Sequence, residues 1–181
     1  MSGTPRVEGP RAAPVFIGLG SNIEPEKNIE LALLALRRQV QLTALSTFYE
    51  TEPIDRPGQA PYVNGVAAAA TFSGPRPLKF AVLRPIEEAQ GRVRTEDRYA
   101  PRTIDLDILL YDDWVLHEDG LVLPDPDLSK RPFLAKCVQE LRPGLCLPGT
   151  GQPLEGIARQ TTGRLTPLTA LTQRLREMLD L

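Results

Sequence analysis

The sequence predicts an α+β domain, and three observations carry that prediction. Strand-like runs and helix-like stripes follow the order strand, helix, strand, strand, helix, strand between Val15 and Tyr111. The 181 residues, 41% of them hydrophobic, suffice for one full core without a disulfide or metal staple. No internal repeat or low-complexity tract suggests a solenoid or fibrous alternative.

Each element has a local cause. Val15 to Leu19 is a short apolar run between Pro14 and Gly20, as a buried strand requires. After Pro25, residues Ile29, Ala32, Leu33, Leu36 and Val40 recur at the spacing of one helical face. Leu45 to Thr51 is rich in β-branched and aromatic residues and stops at Pro53. Tyr62 to Phe72 reads the same way after the loop Ile54 to Pro61, so the two strands are expected to pair. Leu78, Ala81, Val82, Ile86 and Ala89 share a second helical face, closed by Gly91 and kinked in its second turn by Pro85. Ile104 to Tyr111 alternates as a strand should. A hairpin is expected at Trp114 to Val122 and a helix from about Phe133 to Leu141. A last apolar stripe, Leu168, Leu171, Leu175, Met178 and Leu179, is expected to pack on the same domain. This order is that of a ferredoxin-like βαββαβ core with an added hairpin and C-terminal helices. The expected division is a disordered tail over 1–13, the main domain over 14–151 and a helical extension over 152–181 packed on it.

Composition excludes several functions. Twenty-one basic residues against 23 acidic ones give a formal charge of -2, which disfavours bulk attraction to nucleic acid. The longest uncharged run, Pro57 to Pro75, is broken by prolines and glycines and cannot span a membrane. Met1 to Ala13 has no apolar stretch of the secretory kind, so a cytoplasmic location is expected. A monomer is also expected. Cys137, Cys146 and His117 are too few for a structural zinc site, and both cysteines are expected to be reduced. Gly18-Leu19-Gly20-Ser21-Asn22-Ile23 has Ile23 where a dinucleotide fingerprint needs its third glycine, and no G-K-[ST] occurs.

The most informative segment is Arg102-Thr103-Ile104-Asp105-Leu106-Asp107-Ile108-Leu109-Leu110-Tyr111. In a strand, Asp105 and Asp107 share one face, with Cα atoms ~7 Å apart, while Ile104, Leu106, Ile108 and Leu110 fill the other. Two such carboxylates suit one or two hard cations, although a bare pair of this kind also occurs on ordinary solvated strands. Before the strand lies a loop carrying Arg92, Arg94, Arg98 and Arg102. Guanidinium forks match phosphate oxygens, so arginines beside a carboxylate pair favour metal-dependent phosphoryl chemistry. A palm-type nucleotidyltransferase or a domain that only binds nucleotide would use similar residues.

Taken together, the motifs resemble those of the 6-hydroxymethyl-7,8-dihydropterin pyrophosphokinase family. The resemblance covers about Val15 to Pro148. It runs through Gly20-Ser21-Asn22, Tyr49-Glu50-Thr51-Glu52-Pro53, Gln59-Ala60-Pro61-Tyr62-Val63-Asn64 and Glu87 to Arg92. Its strongest part is Pro101-Arg102-Thr103-Ile104-Asp105-Leu106-Asp107-Ile108-Leu109, followed by Leu123-Pro124-Asp125-Pro126 and Arg131-Pro132-Phe133. The resemblance implies a ferredoxin-like enzyme of folate synthesis that moves pyrophosphate from ATP to a pterin alcohol and releases AMP. It implies that Asp105 and Asp107 hold two magnesium ions and that Arg92 and Arg102 close over the triphosphate. Glu87, Arg94, Arg98, Tyr99, Ile108, Asp125 and Arg131 would complete the ATP side. Tyr62 and Phe133 would sandwich the pterin, with Asn64, Thr51, Pro53 and Ile54 around its edge. Where the family commonly has a histidine between two prolines, this chain has Asp125.

Overall fold

The computed structural model describes residues 11–52, 58–93, 100–161 and 164–181. The apolar run at the start becomes the central strand β1 (Ala13–Ser21), flanked by β4 (Tyr62–Thr71) and β5 (Asp105–Tyr111). β2 (Gln41–Leu45) and β3 (Tyr49–Thr51) share the outer edge of β4, and β8 (Leu165–Pro167) extends the sheet beyond β3. Every pairing in this six-stranded sheet is antiparallel.

Helices cover both faces. On one side, Val15, Ile17 and Leu19 of β1 meet Ile29, Leu33 and Leu36 of α1 (Pro25–Leu36). Leu171, Leu175 and Leu179 of α7 (Thr169–Leu179) join that core, as the C-terminal stripe predicts. On the other side, Phe16, Val66, Leu109 and Leu110 pack against α5 (Pro132–Leu141) and α6 (Leu154–Ala158). Between β4 and β5 the chain forms one helical run of three parts: α2 (Pro75–Pro77), a π-helical stretch Leu78–Leu83 and α3 (Arg84–Ala89). The expected kink therefore takes the form of a widened turn before Pro85, whose missing N–H and bulky ring disturb the regular ladder. The hairpin forms as β6 (Leu116–Glu118) and β7 (Leu121–Leu123), followed by the short α4 (Asp127–Lys130). Cys137 is buried, Cys146 exposed, and both thiols are free.

Three expectations need correction. The single strand Leu45 to Thr51 is interrupted, because Ser46 Oγ accepts the Val66 N–H at 2.9 Å and Phe48 turns its N–H to Thr172 Oγ1 at 2.9 Å. Leu110 does not share the face of Leu106 and Ile108. The β1–β5 register slips between Phe16 and Ile17, and the extra residue puts Leu109 and Leu110 together in the second core. The segment 152–181 is not wholly helical, since it also supplies β8.

Phe48, fully buried, lies across Gly65, where an added Cβ would come within 2.6 Å of its ring. Gly65→Ala is expected to destabilise the fold by about 1–3 kcal/mol, the usual cost of overpacking a closed core. Urea unfolding checks this, and Phe48→Leu in the same chain should restore part of the loss.

Candidate active site

The site lies on the α5 side of the sheet, at the end where β1 closes on Ser21 and gives way to Asn22. The register sets Asp105 opposite Gly20 on one flank and Asn64 opposite Gly20 on the other. Paired residues share a face, so Asp105, Asp107 and Asn64 stand on one surface. A Cβ at position 20 would sit 2.7 Å from Asn64 Oδ1, which explains why glycine separates these two polar groups. Asp125, Asp127, Arg131 and Phe133 complete the same cleft.

Arginine governs the charge at Asp105. Gly91, with φ of 75°, turns the chain so that the Arg92 N–H returns to the Glu87 carbonyl at 3.1 Å. Arg92 Nη1 then donates to Glu87 Oε1 and Asp105 Oδ1, and Arg102 Nη1 donates to Asp105 Oδ2. Burial opposes ionisation of Asp105, but the two guanidinium groups win and hold its carboxyl below the usual range. Glu87 is only 2% exposed, and its Oε1 also accepts the Leu106 N–H at 2.9 Å. It ties α3 to the start of β5. Asn22 makes a second tie: its N–H donates to the Arg102 carbonyl at 3.2 Å and its Oδ1 accepts the Arg102 N–H at 2.8 Å.

Asp107 has a different environment. Loss of water in the cleft and repulsion from Asp105 push its carboxyl up to about 7, against the opposing pull of Lys79. Lys79 Nζ lies 3.5 Å from Asp107 Oδ1. Burial also raises Asp125, whose Oδ1 accepts the Asp127 N–H at 2.8 Å. The Asp125 N–H in turn donates to Leu109 at 2.9 Å, so the carbonyl at the slipped register of β5 anchors the Asp125 loop.

The other expected residues fall into three groups. Asn64 Nδ2 donates to Thr51 Oγ1 at 2.8 Å, and the Arg102 guanidinium lies 6.0 Å from the Tyr62 ring centroid. Phe133 lies in the first turn of α5 and lines the cleft with Asn64, while Arg131 Nε pairs with Asp127 Oδ2 at 3.2 Å. Ile108 is not on this surface. It is 1% exposed and packs in the core beneath the opposite face. Pro53, Ile54, Arg94, Arg98 and Tyr99, and the first ten residues of the proposed tail, lie outside the described residues.

A family model described as 7,8-dihydro-6-hydroxymethylpterin-pyrophosphokinase (HPPK) matches residues 16–143. The chain belongs to that family. It is 39% identical over 156 residues to the 2-amino-4-hydroxy-6-hydroxymethyldihydropteridine pyrophosphokinase of Pseudomonas aeruginosa, covering 80% of this chain and 95% of that one. With the protein of the same name from Haemophilus influenzae it shares 36% identity over 138 residues, 75% of this chain and 85% of the other. Among solved structures, Plasmodium falciparum HPPK-DHPS wild type with SDX-DHP matches with a TM-score of 0.66 at 13% identity. That match covers 96% of this chain, which spans only 47% of the solved one, and it speaks for the fold alone.

Within this HPPK chain, two site residues escaped the sequence reading. Lys79 is one of four lysines and falls off the apolar stripe of its helix, but periodicity alone gives no hint that a π-helical turn would carry it to Asp107. Asn22 stands in a motif that marks the family, yet its bond to a residue 80 positions later is invisible until the fold closes.

Among the described residues, no cluster of three or more His, Cys, Asp or Glu forms a ready-made metal cage. Asp105 and Asp107 instead offer hard oxygens from one strand face. Such a partial set fits a magnesium ion that keeps positions for water and phosphate oxygens.

Proposed function

We propose that this HPPK transfers pyrophosphate from ATP to the hydroxyl of 6-hydroxymethyl-7,8-dihydropterin and releases AMP, a step of folate synthesis. The observation that carries the reading is one cleft that joins the Asp105–Asp107 pair to Asn64, Arg131 and Phe133, with Arg92 and Arg102 bonded to Asp105. In the reaction, the alcohol oxygen forms a bond to the β-phosphorus, the bond from that phosphorus to the AMP oxygen breaks, and the alcohol proton passes to solvent. Asp105 and Asp107 would hold two magnesium ions, which when bound neutralise polyphosphate charge and favour the ionised alcohol.

The chain's own groups do the remaining work. Arg92 and Arg102 sit at the carboxylate pair with donors suited to phosphate oxygens, Arg131 lines the same cleft, and Arg94, Arg98 and Tyr99 are read as further ATP-binding residues. Glu87 acts on the ATP side by fixing Arg92, and Asp125 borders the phosphates. Tyr62 and Phe133 take the flat pterin ring between them, while Asn64 and Thr51, with Pro53 and Ile54, recognise its edge.

The core is inferred to be ferredoxin-like; the antiparallel order β5, β1, β4 with β2 and β3 outside supports this. Residues 14–151 and the extension 152–181 are read as one unit, because Leu154 and Ile157 enter one core and Leu171 and Leu175 the other. No helix among the described residues is long and apolar enough to cross a membrane. The enzyme is taken to act as a cytoplasmic monomer, which sedimentation velocity with and without Mg-ATP checks.

Incubating the protein with Mg-ATP and the reduced hydroxymethylpterin should yield AMP and the pterin diphosphate. Release of inorganic pyrophosphate in place of AMP would indicate nucleotidyl transfer, and binding without either product would indicate a sensor. For the pterin pocket, Phe133→Ala is expected to weaken pterin binding by about 1–3 kcal/mol, the scale of one lost stacking and burial contact. Calorimetry should show Mg-ATP binding changed far less; equal losses for both ligands would remove Phe133 from the sandwich.

A further inference from the structure

The two carboxylates of the site differ in what neutralises them. Asp105 takes two arginines, each held in turn by other bonds: Arg92 to Glu87 and the Ile104 carbonyl, Arg102 to the Ala100 carbonyl. Asp107 meets a lysine at 3.5 Å. The Lys79 side chain is 18% exposed, so its ammonium has given up much of its water and gains from a carboxylate.

Its mounting also differs from that of the arginines. Lys79 projects from the π-helical stretch, next to Phe80, whose ring centroid lies 4.9 Å from the Arg76 guanidinium and 4.3 Å from that of Arg84. The lysine's flexible stem leaves its charge able to move, unlike a guanidinium fixed by a planar fork. A compact cation beside a metal-type carboxylate occupies the electrostatic place that a divalent ion would take.

We propose that Lys79 is a displaceable counter-ion of Asp107, which a divalent cation must push aside, so that metal alone binds weakly and is taken up together with the nucleotide. The polyphosphate supplies the negative charge that both the displaced ammonium and the incoming cation require. The proposal rests on the reading of Asp107 as a metal-carrying residue.

The probe is Mn2+ without nucleotide, with free ion counted by electron paramagnetic resonance. Lys79→Met and Lys79→Gln are each expected to tighten Mn2+ at least fivefold, whereas Lys79→Arg should stay within twofold of the unsubstituted protein. Arg76→Met, which removes a positive charge from the same helical run without touching Asp107, should also stay within twofold. Adding the non-hydrolysable α,β-methylene analogue of ATP should narrow the gap between Lys79→Met and the unsubstituted protein. Unchanged or weaker Mn2+ binding in a folded Lys79→Met or Lys79→Gln protein overturns the proposal, as does an equal gain from Arg76→Met. Asp107→Asn separates the two levels of argument. If it leaves Mn2+ binding intact in the presence of the analogue, the metal reading of Asp107 fails; if it weakens that binding while the Lys79 variants behave as the unsubstituted protein, only the role of Lys79 fails.

Discussion

Asp107→Asn is expected to lower pyrophosphate transfer roughly a thousandfold while making the metal-free protein more stable at pH 8. The loss of activity follows from the proposed role of Asp107 as one of two cation-binding charges on the cleft face. The gain in stability follows from linkage. The Asp107 carboxyl is raised in the folded protein from 3.8 to about 7, so between these values the native state holds a proton that the unfolded chain has released. Stability therefore falls as pH rises through that window, and the full penalty is present above it. Asparagine does not ionise and escapes the penalty. Solvent still reaches this carboxylate, so the expected gain is discounted to about 1 kcal/mol at pH 8 and to about zero at pH 4. Urea unfolding in EDTA at both pH values measures it; the same difference at both would show that ionisation of Asp107 is not the cause.

Arg92→Ala should be costly in another way. It withdraws the guanidinium from Glu87, a carboxylate 2% exposed, and from Asp105 at once. Removing one member of a buried charged pair typically costs about 3–5 kcal/mol, mostly from the charge left behind. Transfer should fall at least 100-fold as well, because the donor proposed to face phosphate has gone. Pairing the change with Glu87→Gln separates the two effects. The double variant should recover at least half of the lost stability, since the amide oxygen still accepts the Leu106 N–H, and none of the activity. Recovery of activity would mean that Arg92 acts only by holding Glu87.

Much of this site was legible because its parts are local. The alternation across Asp105 and Asp107 needs only a strand, and β5 supplies one. The run from Pro25 to Leu36 needed only its own periodicity, and Gly91 marked a helix end by its own backbone freedom. What escaped depends on contacts between distant segments. The slip that moves Leu110 to the other core arises from how β5 meets β1, and neither strand alone records it. The break at Ser46 depends on a hydroxyl finding Val66, and the approach of Lys79 to Asp107 depends on one widened helical turn. Leu165–Pro167 is too short and too proline-limited to read as a strand without its partner.

That same three-residue strand has a consequence for solubility. Without β8, the outer side of Tyr49–Thr51 would offer unpaired N–H and C=O groups, a template on which a second chain could add. β8 covers them and substitutes an edge that is three residues long and ends in Pro167, which has no N–H to donate. The segment thereby caps the backbone groups on the outer edge of the strand that carries Thr51, where an unpaired strand would invite the addition of another chain.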